Sequence, residues 1–386
     1  MIAGVRDETG QFARALAASY ASIRRTIPRM GTARPSIGEA GGLTYVRCND
    51  NDWVDSFWCG QLWLAWDETR DDAFFAAARA QRPYFAARLD RPASHDHDLG
   101  FLYCLSTLAD YRLTGDAEAR ALSLRAADAL AGRFNRAGNF IQAWNAPVGA
   151  SPEKARRRKG KIIIDCMMNL GLLFWAARET GRDELAAIAV AHADTNTRYI
   201  IRPDGSTYHT YDFDPATGTP LGGFTAQGFA DESCWSRGHA WAIHGYTQTY
   251  RHTGEVRFLA TARQLADWAL AHLPADGVPW WDYRLPSDAT PYRDSSAAAI
   301  EAAGLLLLAQ TLGDDPAAAR YRASAERMLA ALIDGYTTFA HPEAEGLLLH
   351  GASHVARGRS DTLLPYGDYF FVEALLRAGG RDRFFW

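Results

Sequence analysis

Residues 295–312, SSAAAIEAAGLLLLAQTL, decide the fold, because this pattern is typical of a helix that is apolar on every side. The residues that follow, 316–336, PAAARYRASAERMLAALIDGY, predict a second helix that is rich in Ala and Arg and is amphipathic. A helix that is apolar all round belongs inside a bundle, whereas an amphipathic helix forms an outer wall. The two segments therefore predict one inner and one outer helix.

The same alternation runs along the whole chain. Residues 167–177 are again apolar all round, and residues 182–193 are again amphipathic. Strand-like alternation is almost absent from the sequence. The pattern predicts about a dozen helices in six successive pairs, at residues 10–27, 54–67, 71–89, 99–113, 116–133, 166–180, 182–199, 236–253, 256–273, 295–312, 316–336 and 366–376.

Six inner and six outer helices predict an all-α (α/α)6 barrel, with residues 1–386 forming a single domain. The alternative is an open α-solenoid, which is disfavoured because the long loops between the helix pairs differ so much from one another. Three of these loops, residues 135–161, 202–234 and 275–294, are rich in Gly, Pro, Asp, Trp and Tyr. Long loops in a compact domain are usually functional or disordered, and the aromatic content favours ordered ones. We expect a short hairpin around residues 208–213.

Composition excludes several classes of function. With 41 Lys+Arg against 45 Asp+Glu, the net charge of −4 argues against general nucleic-acid binding. No apolar run reaches the ~18 residues that a membrane-spanning helix requires, and Arg6, Asp7 and Glu8 stand where a secretory signal needs apolar residues. The five cysteines cannot all pair within one chain, and no CxxC motif indicates a zinc site. We therefore expect a cytoplasmic protein that does not bind a membrane.

Two aspartates stand at the start of predicted inner helices. Asp98 ends the sequence HDHD at residues 95–98, and Asp165 follows three isoleucines. Each is a good helix N-cap, but paired carboxylates in unequal environments also perform acid/base chemistry on sugars. The cluster at residues 95–98 allows a metal site too, although no distant His/Cys cluster supplies further ligands, so no metal is predicted. Together the aspartates predict a cleft at the N-terminal ends of the inner helices.

A third cluster consists of TAQG at residues 225–228 and CWSRGHAW at residues 234–241. Arg237 offers a planar fork of donors that suits a carboxylate, and two tryptophans flank it. The alternative is an interior arginine paired with a structural aspartate. Asp294 and Ser295 are typical of helix caps. The basic run at residues 156–159 is typical of a solvated loop, although its position ahead of Asp165 also suits an anionic substrate.

These blocks resemble the unsaturated glucuronyl hydrolases, glycoside hydrolase family 88. The matching blocks are HDLGF at 97–101, IDCMMNL at 164–170, QG at 227–228, WSRGHAW at 235–241, WD at 281–282, RDSSAAAI at 293–300 and GDY at 367–369. They follow the family order over nearly the whole chain. The resemblance implies an (α/α)6 barrel that acts on lyase-generated oligosaccharides ending in a 4,5-unsaturated uronate, with no metal or organic cofactor. A carboxylic acid protonates C4, water adds at C5, and the hemiketal collapses to release the rest of the sugar.

The resemblance also assigns roles to single residues. It makes Asp165 the general acid/base and Asp98 the second carboxylate. The substrate-binding residues that it implies are Trp53, His97, His209, Gly223, Thr225, Gln227, Trp235, Arg237, Trp241, His354 and Arg357. The tryptophans are expected to stack on sugars, while Arg237 and Gln227 are expected to hold the uronate carboxylate. His354 and Arg357 stand where some relatives carry two serines that bind the next sugar.

Acid chemistry supports the choice of Asp165. Protonating an enol ether near neutral pH requires an acid whose pKa is raised toward 7, and burial in the apolar run around Asp165 acts in that direction, although the following helix N-terminus opposes it. Two other functions stay open, namely a conventional inverting glycosidase or sugar epimerase on the same barrel, and a non-catalytic glycan-binding protein. The parent polysaccharide and its sulfation also stay open.

Overall fold

A computed structural model describes residues 10–48 and 52–386. Helices make up most of the structure, and along most of the chain a largely buried helix is followed by a partly buried one. In chain order they are α1 (Gln11–Met30), α2 (Phe57–Thr69), α3 (Asp72–Arg79), α4 (Arg82–Leu89), α5 (Leu99–Tyr103), α6 (Ala109–Thr114), α7 (Ala117–Ala131), α8 (Pro152–Lys159), α9 (Cys166–Thr180), α10 (Asp183–Tyr199), α11 (Ser236–Thr253), α12 (Val256–His272), α13 (Ser295–Leu312), α14 (Pro316–Gly335) and α15 (Pro365–Ala378).

The inner ring consists of α2, the α5–α6 segment, α9, α11, α13 and α15. Burial separates the two layers: α13 buries 15 of its 18 residues, whereas α10 on the outside buries 6 of 17. The ring closes because α15 packs against α2, and α1 packs against both α14 and α15. This closure excludes the open solenoid, and the predicted (α/α)6 barrel is confirmed.

Helix bounds follow the apolar pattern closely. Helices α9, α11 and α13 begin and end at the predicted residues. The predicted helix 71–89 is instead broken into α3 and α4, because Pro83 in the first turn of α4 suits a new helix start and not a helix interior. A π-helical turn, Cys104–Leu108, joins α5 to α6. Helix α8 lies within the loop 135–161 and was not predicted.

Short strands position the loops between the helices. The pair β1 (Phe134–Asn135) and β2 (Phe140–Ile141) is antiparallel, as is a three-stranded sheet of β3 (Lys161–Ile163), β4 (Thr210–Phe213) and β5 (Pro220–Phe224) in that order. The β4–β5 pair confirms the predicted hairpin. The backbone N–H of Ile164 donates to the carbonyl of His209 at 3.0 Å. The sheet therefore places Asp165 beside His209.

Helix α13 corrects one prediction. Its 18 residues have a mean hydropathy of 1.4, so by length and composition it is apolar enough to cross a bilayer. The prediction that no segment of the sequence meets this requirement is therefore wrong. Within the barrel, however, 83% of that segment is buried against neighbouring helices, as is typical of a core helix. Its apolar side chains belong to a continuous cluster that runs from α1 to Trp386.

Candidate active site

Asp98 and Asp165 occupy the N-cap positions of α5 and α9, two inner helices that pack together, yet neither carboxyl caps its helix. In α9 backbone carbonyls accept N–H groups of the first turn. The N–H groups of Met167 and Met168 donate to the carbonyls of Ile164 and Asp165, both at 3.1 Å. The capping interpretation is therefore wrong for both aspartates. The two residues are only 5% and 7% exposed.

Asp165 faces His209 across a short gap. The Nε2 atom of His209 lies 3.9 Å from Asp165 Oδ1, beyond hydrogen-bond distance, and neither atom has a hydrogen-bond partner among residues 10–48 and 52–386. Nδ1 of His209 accepts the backbone N–H groups of Ala226 and Gln227, both at 3.2 Å, so the ring proton of neutral His209 is on Nε2. Burial lowers the pKa of His209 and raises the pKa of Asp165 to about 7, although the charge of Arg237 opposes the second shift. The carboxyl of Asp165 is thus a weak acid that faces the Nε2–H group of His209.

The imidazole of His97 lies beside the carboxyl of Asp98. Nδ1 of His97 donates to the carbonyl of Ala143 at 3.0 Å, which leaves a lone pair on Nε2, 3.2 Å from Asp98 Oδ1. Burial lowers the pKa of His97 to about 4. Burial and the carboxylates of Asp96 and Asp165 raise the pKa of Asp98 well above its usual range. The influence of Asp165 on Asp98 also places the two carboxyls within electrostatic reach of each other.

A cleft of about 970 Å³ opens next to His209, on the loop at Ala226 and Gln227. Its walls come from the loops that precede α9, α11 and α15, so it lies at the N-terminal ends of the inner helices. Five of the predicted binding residues line it, namely Trp53, Thr225, Gln227, His354 and Arg357. Neither aspartate lines the cleft itself. Asp165 lies behind it, 3.9 Å from His209, which accepts N–H groups of the lining residues Ala226 and Gln227. His97, next to Asp98, packs edge-on against the lining residue Trp144 at a centroid distance of 5.7 Å.

Comparison with known proteins identifies the family of this chain. Residues 39–370 match Glycosyl Hydrolase Family 88. The chain belongs to this family. It is 42% identical over 356 residues to an unsaturated glucuronyl hydrolase from Bacillus sp. (strain GL1), covering 92% of this chain and 93% of the relative. The crystal structure of the unsaturated glucuronyl hydrolase from Bacillus sp. GL1 matches with a TM-score of 0.91 at 39% identity, covering 97% of this chain and 99% of that one.

A second relative in family 88 carries a different name. The chain is 39% identical over 337 residues to an unsaturated chondroitin disaccharide hydrolase from Streptococcus pyogenes serotype M1, covering 86% of this chain and 82% of the relative. The resemblance to family 88 found in the sequence is thereby confirmed, and so is the barrel that it implied.

Two tryptophans do not have the open faces that stacking on a sugar requires. Trp241 is 0% exposed, and its ring packs against Phe101 and Phe370 with both centroid distances at 5.1 Å. Trp235 is 3% exposed, and its ring stacks on His209 at 4.1 Å. The predicted stacking role is wrong for both rings. The indole Nε1–H of Trp241 has no hydrogen-bond partner in the described part of the chain.

Trp53 keeps the position predicted for a stacking residue in this family 88 site. Its ring is half-buried and lines the cleft, and it stacks on Tyr366 at a centroid distance of 4.8 Å. Tyr366 thus supports the ring from inside the barrel. Its contact with a sugar stays a prediction.

Arg237 is fully buried, and the protein occupies most of its donors. Nη1 donates to Asp294 Oδ2 and to the carbonyl of Ala352, both at 2.7 Å, and Nη2 donates to the carbonyl of Ser353 at 2.8 Å. Three of the five N–H groups of the guanidinium are thus taken by the protein, and a contact of the remaining two with the substrate carboxylate stays a prediction. The alternative, an interior arginine paired with a structural aspartate, is what the structure contains. Only Nε lacks a partner among the described residues.

Gln227 and Gly223 have mainly structural contacts. The side-chain amide of Gln227 donates to the carbonyl of Ser353 at 2.8 Å, which ties the loop at 225–228 to the loop before α15. Gly223 is outside the cleft lining and lies on β5, where the ring of Tyr208 leaves no room for a Cβ atom. Substrate contacts of Gln227, Gly223 and Thr225 stay predictions.

Sequence reasoning missed several residues of the cleft wall. Trp144 lines the cleft, and the guanidinium of Arg158 lies 5.0 Å from the centre of its ring. Lys154 and Arg359 line it as well. The signal was available, because Trp144 lies in the long loop 135–161 whose composition indicated a functional segment. The side of the loop that faces the cleft is set by α8, which was not predicted.

A small acidic cluster adjoins the site. Ligand atoms of Asp96, His97 and Asp98 lie within 4.8 Å of one another, which is close enough for one cation to contact all three. One oxygen of Asp96, however, accepts the backbone N–H of Asp98 at 3.0 Å, and Nε2 of His97 lies 3.2 Å from Asp98 Oδ1. These candidate ligand atoms therefore already face other groups of the protein. That the reaction needs no metal stays a prediction.

Proposed function

We propose that this chain removes the 4,5-unsaturated uronate from the non-reducing end of lyase-generated oligosaccharides by hydrating its C4=C5 enol ether. Membership of family 88 supports this function. The observation that carries it is the carboxyl of Asp165, which is buried, makes no capping bond and has a pKa raised to about 7. Such an acid is protonated in a useful fraction at neutral pH and is strong enough to donate.

The reaction needs one proton donor that is restored within the cycle. Asp165 donates its proton to C4, which leaves positive charge shared between C5 and the ring oxygen. Water then adds at C5, and the carboxylate of Asp165 takes the proton that the water loses. The resulting hemiketal opens, and its collapse releases the remaining sugar, so one water is consumed and Asp165 ends protonated as it began.

The neighbouring groups orient the sugar. The Nε2–H of His209 and Oδ1 of Asp165 are 3.9 Å apart, and both lack protein partners in the described ranges. A sugar oxygen between them would satisfy both. Asp98, whose carboxyl makes no capping bond, binds a sugar hydroxyl, and hydration at C5 requires no nucleophile from the enzyme.

The finer substrate preference is for an oligosaccharide with an anionic group beyond the uronate. The cleft is lined by Lys154, Arg157, Arg158, Lys161, Arg357 and Arg359, against Glu153 and Asp212. Asp212 is paired with Arg157 and Lys161. Within residues 10–48 and 52–386 the other four cations have no carboxylate partner, so they are available to a sulfate or carboxylate group of the leaving sugar.

Deuterium labelling tests the reaction directly. In D₂O, hydration places one deuterium on C4 of the released uronate while the ultraviolet absorbance of the alkene disappears. Asp165→Asn should stop both changes. A conventional inverting glycosidase would release the uronate with its alkene intact and no deuterium at C4, and a glycan-binding protein would release nothing.

Two arginines of α8 test the substrate preference. Arg158 lines the cleft, whereas Arg156 on the same helix pairs with Asp214 and does not line it. For a sulfated unsaturated disaccharide we expect Arg158→Ala to raise KM about three- to tenfold, in line with a partly exposed charge contact of ~1 kcal/mol. Arg156→Ala should leave KM unchanged, and the unsulfated disaccharide should respond to neither variant. Equal KM changes for both sugars would contradict the anionic subsite.

A further inference from the structure

The side-chain amide of Asn169 joins the N-terminal ends of the two helices that carry the aspartates. Its Oδ1 accepts the backbone N–H of Phe101 at 2.6 Å, and its Nδ2 donates to the carbonyl of Asp165 at 3.2 Å. Asn169 is fully buried. An asparagine inside a helix is unfavourable by local propensity, so its contacts outside α9 have to compensate.

The bond to Phe101 replaces an ordinary helix cap. With Asp98 at the N-cap position of α5, Phe101 is the third helical residue, and its N–H is one that an N-cap carboxylate normally accepts. Here that N–H is taken by Asn169, from a different helix. The carboxyl of Asp98 consequently makes no capping bond and faces His97.

Gly100 makes this contact possible. A Cβ atom on Gly100 would lie 2.7 Å from the carbonyl carbon of Asn169 and would also meet its Cα atom, so any side chain would push the two backbones apart. The conformation of Gly100 is helical, and the requirement is therefore for space. The close approach brings the Asn169 amide within reach of α5.

We propose that Asn169 is a positioning residue, which caps α5 from α9 and thereby keeps the Asp98 carboxyl free to bind the sugar at a fixed distance from Asp165. The effect on turnover rests on the proposed function, whereas the capping role does not. Without the amide, the N–H of Phe101 is a buried donor with no acceptor, and the carboxyl of Asp98 turns back to cap it. That bond favours the ionised carboxylate and removes it from the sugar.

Activity measurements on Asn169→Ala test the positioning role. We expect kcat to fall about 100-fold, the loss typical of a misplaced reacting geometry, with KM changed less than threefold. The pH profile of kcat should also shift, because a capping Asp98 ionises at lower pH. The matched control is Asn196→Ala, since Asn196 is another fully buried asparagine but lies on the outer helix α10, where its amide contacts His192. This control should lose thermal stability without losing turnover.

A stability cycle tests the capping role without any substrate. In the otherwise unchanged protein, Asp98→Ala should leave Tm unchanged or raise it, because Asp98 caps nothing. In the Asn169→Ala protein, the same Asp98→Ala change should lower Tm, because Asp98 has become the cap. Equal effects of Asp98→Ala in both backgrounds would overturn the proposal, whether or not the assigned reaction is correct.

Asn169→Asp provides a second test should Asn169→Ala fail to fold. The aspartate has the same shape and keeps an acceptor for the N–H of Phe101. We expect Asp98→Ala to cost this variant no Tm, and we expect its kcat to exceed that of Asn169→Ala where both fold. A loss of Tm when Asp98→Ala is added to Asn169→Asp would overturn the proposal. So would an Asn169→Ala protein with the turnover and pH profile of the unmodified chain.

Discussion

The start of α13 and the starts of α5 and α9 carry the same residue type at the same helix position but give it opposite roles. Asp294, ahead of α13, accepts the N–H groups of Ser296 and Ala297 at 3.1 and 3.3 Å and binds Arg237. Asp98 and Asp165 cap nothing. The difference lies in which acceptors take the N–H groups of the first helical turn. In α5 Asn169 takes that of Phe101, and in α9 the backbone carbonyls of Ile164 and Asp165 take those of Met167 and Met168.

This comparison shows how a barrel built from ordinary capping sequences can hold reactive carboxyls. An aspartate that accepts several hydrogen bonds is stabilised as the anion, whereas a buried aspartate without them is stabilised as the acid. The chemistry of Asp165 therefore depends on the backbone bonds that close the first turn of α9. The availability of Asp98 depends on Asn169.

The largest expected effect separates Asp165 from the structural caps. Asp165→Asn should lower kcat about 10³-fold, within the ~10²–10⁴-fold range of general acid catalysis, because the amide cannot donate a proton to C4. Its Tm at pH 7 should not fall, since no capping bond is lost. The loss of alkene absorbance and thermal unfolding measure the two quantities. Turnover within tenfold of the unmodified chain would show that Asp165 is not the acid.

Asp294→Ala should have the reverse effect, chiefly on stability. It removes a helix cap and leaves Arg237 buried without its counter-charge, and breaking a buried pair typically costs about 3–5 kcal/mol. Urea unfolding at pH 7 measures this loss. A cost below about 1 kcal/mol would mean that Asp294 is no more structural than the two free aspartates.

The pH dependence of stability sharpens the same contrast. The folded pKa of Asp165 is raised above its unfolded value, so its contribution to stability is fully present below about pH 4 and is lost as the pH rises to about 7. Asp165→Asn lacks this dependence. The free energy of unfolding of the variant, minus that of the unmodified chain, should therefore increase between pH 4 and 7, by at most ~4 kcal/mol, and then stay constant. Parallel curves from urea unfolding at several pH values would contradict the raised pKa.

The smallest effect is expected at an outer helix. Asp315 caps α14 by accepting the N–H of Ala317 at 2.8 Å. Asp315→Ala should cost about 1 kcal/mol of unfolding free energy, as ordinary N-caps do, and should leave kcat unchanged. A change in kcat would show that turnover responds to a loss of stability as such. The fall in kcat of Asp165→Asn would then have to be corrected for that response.

Most of the fold was predictable from the sequence because apolar periodicity acts locally. The uninterrupted apolar surface of α13 indicated an inner helix without knowledge of its neighbours, and the bounds of α9, α11 and α13 were correct. Helix α8 was also within reach of sequence reasoning, since Ser151 and Pro152 form a typical helix start. It was missed because its basic residues were assigned to a solvated loop.

The roles inside the site were less predictable because they depend on pairs far apart in the chain. Asn169 takes the N–H of Phe101 from 68 residues away, and Arg237 finds Asp294 at a separation of 57 residues. No local pattern distinguishes a capping aspartate from a free one. The position of Asp98 and Asp165 at one end of the barrel could be predicted, whereas the release of their carboxyls required the structure.

The central claim is that the free carboxyl of Asp165 is the proton donor, and its titration tests that claim most directly. In a ¹³C NMR titration of aspartate carboxyl carbons in the substrate-free protein, the resonance that disappears in Asp165→Asn should titrate near pH 7, and kcat/KM should fall with rising pH through the same midpoint. A midpoint near pH 4 for that resonance, with kcat/KM unchanged across neutral pH, would contradict the account.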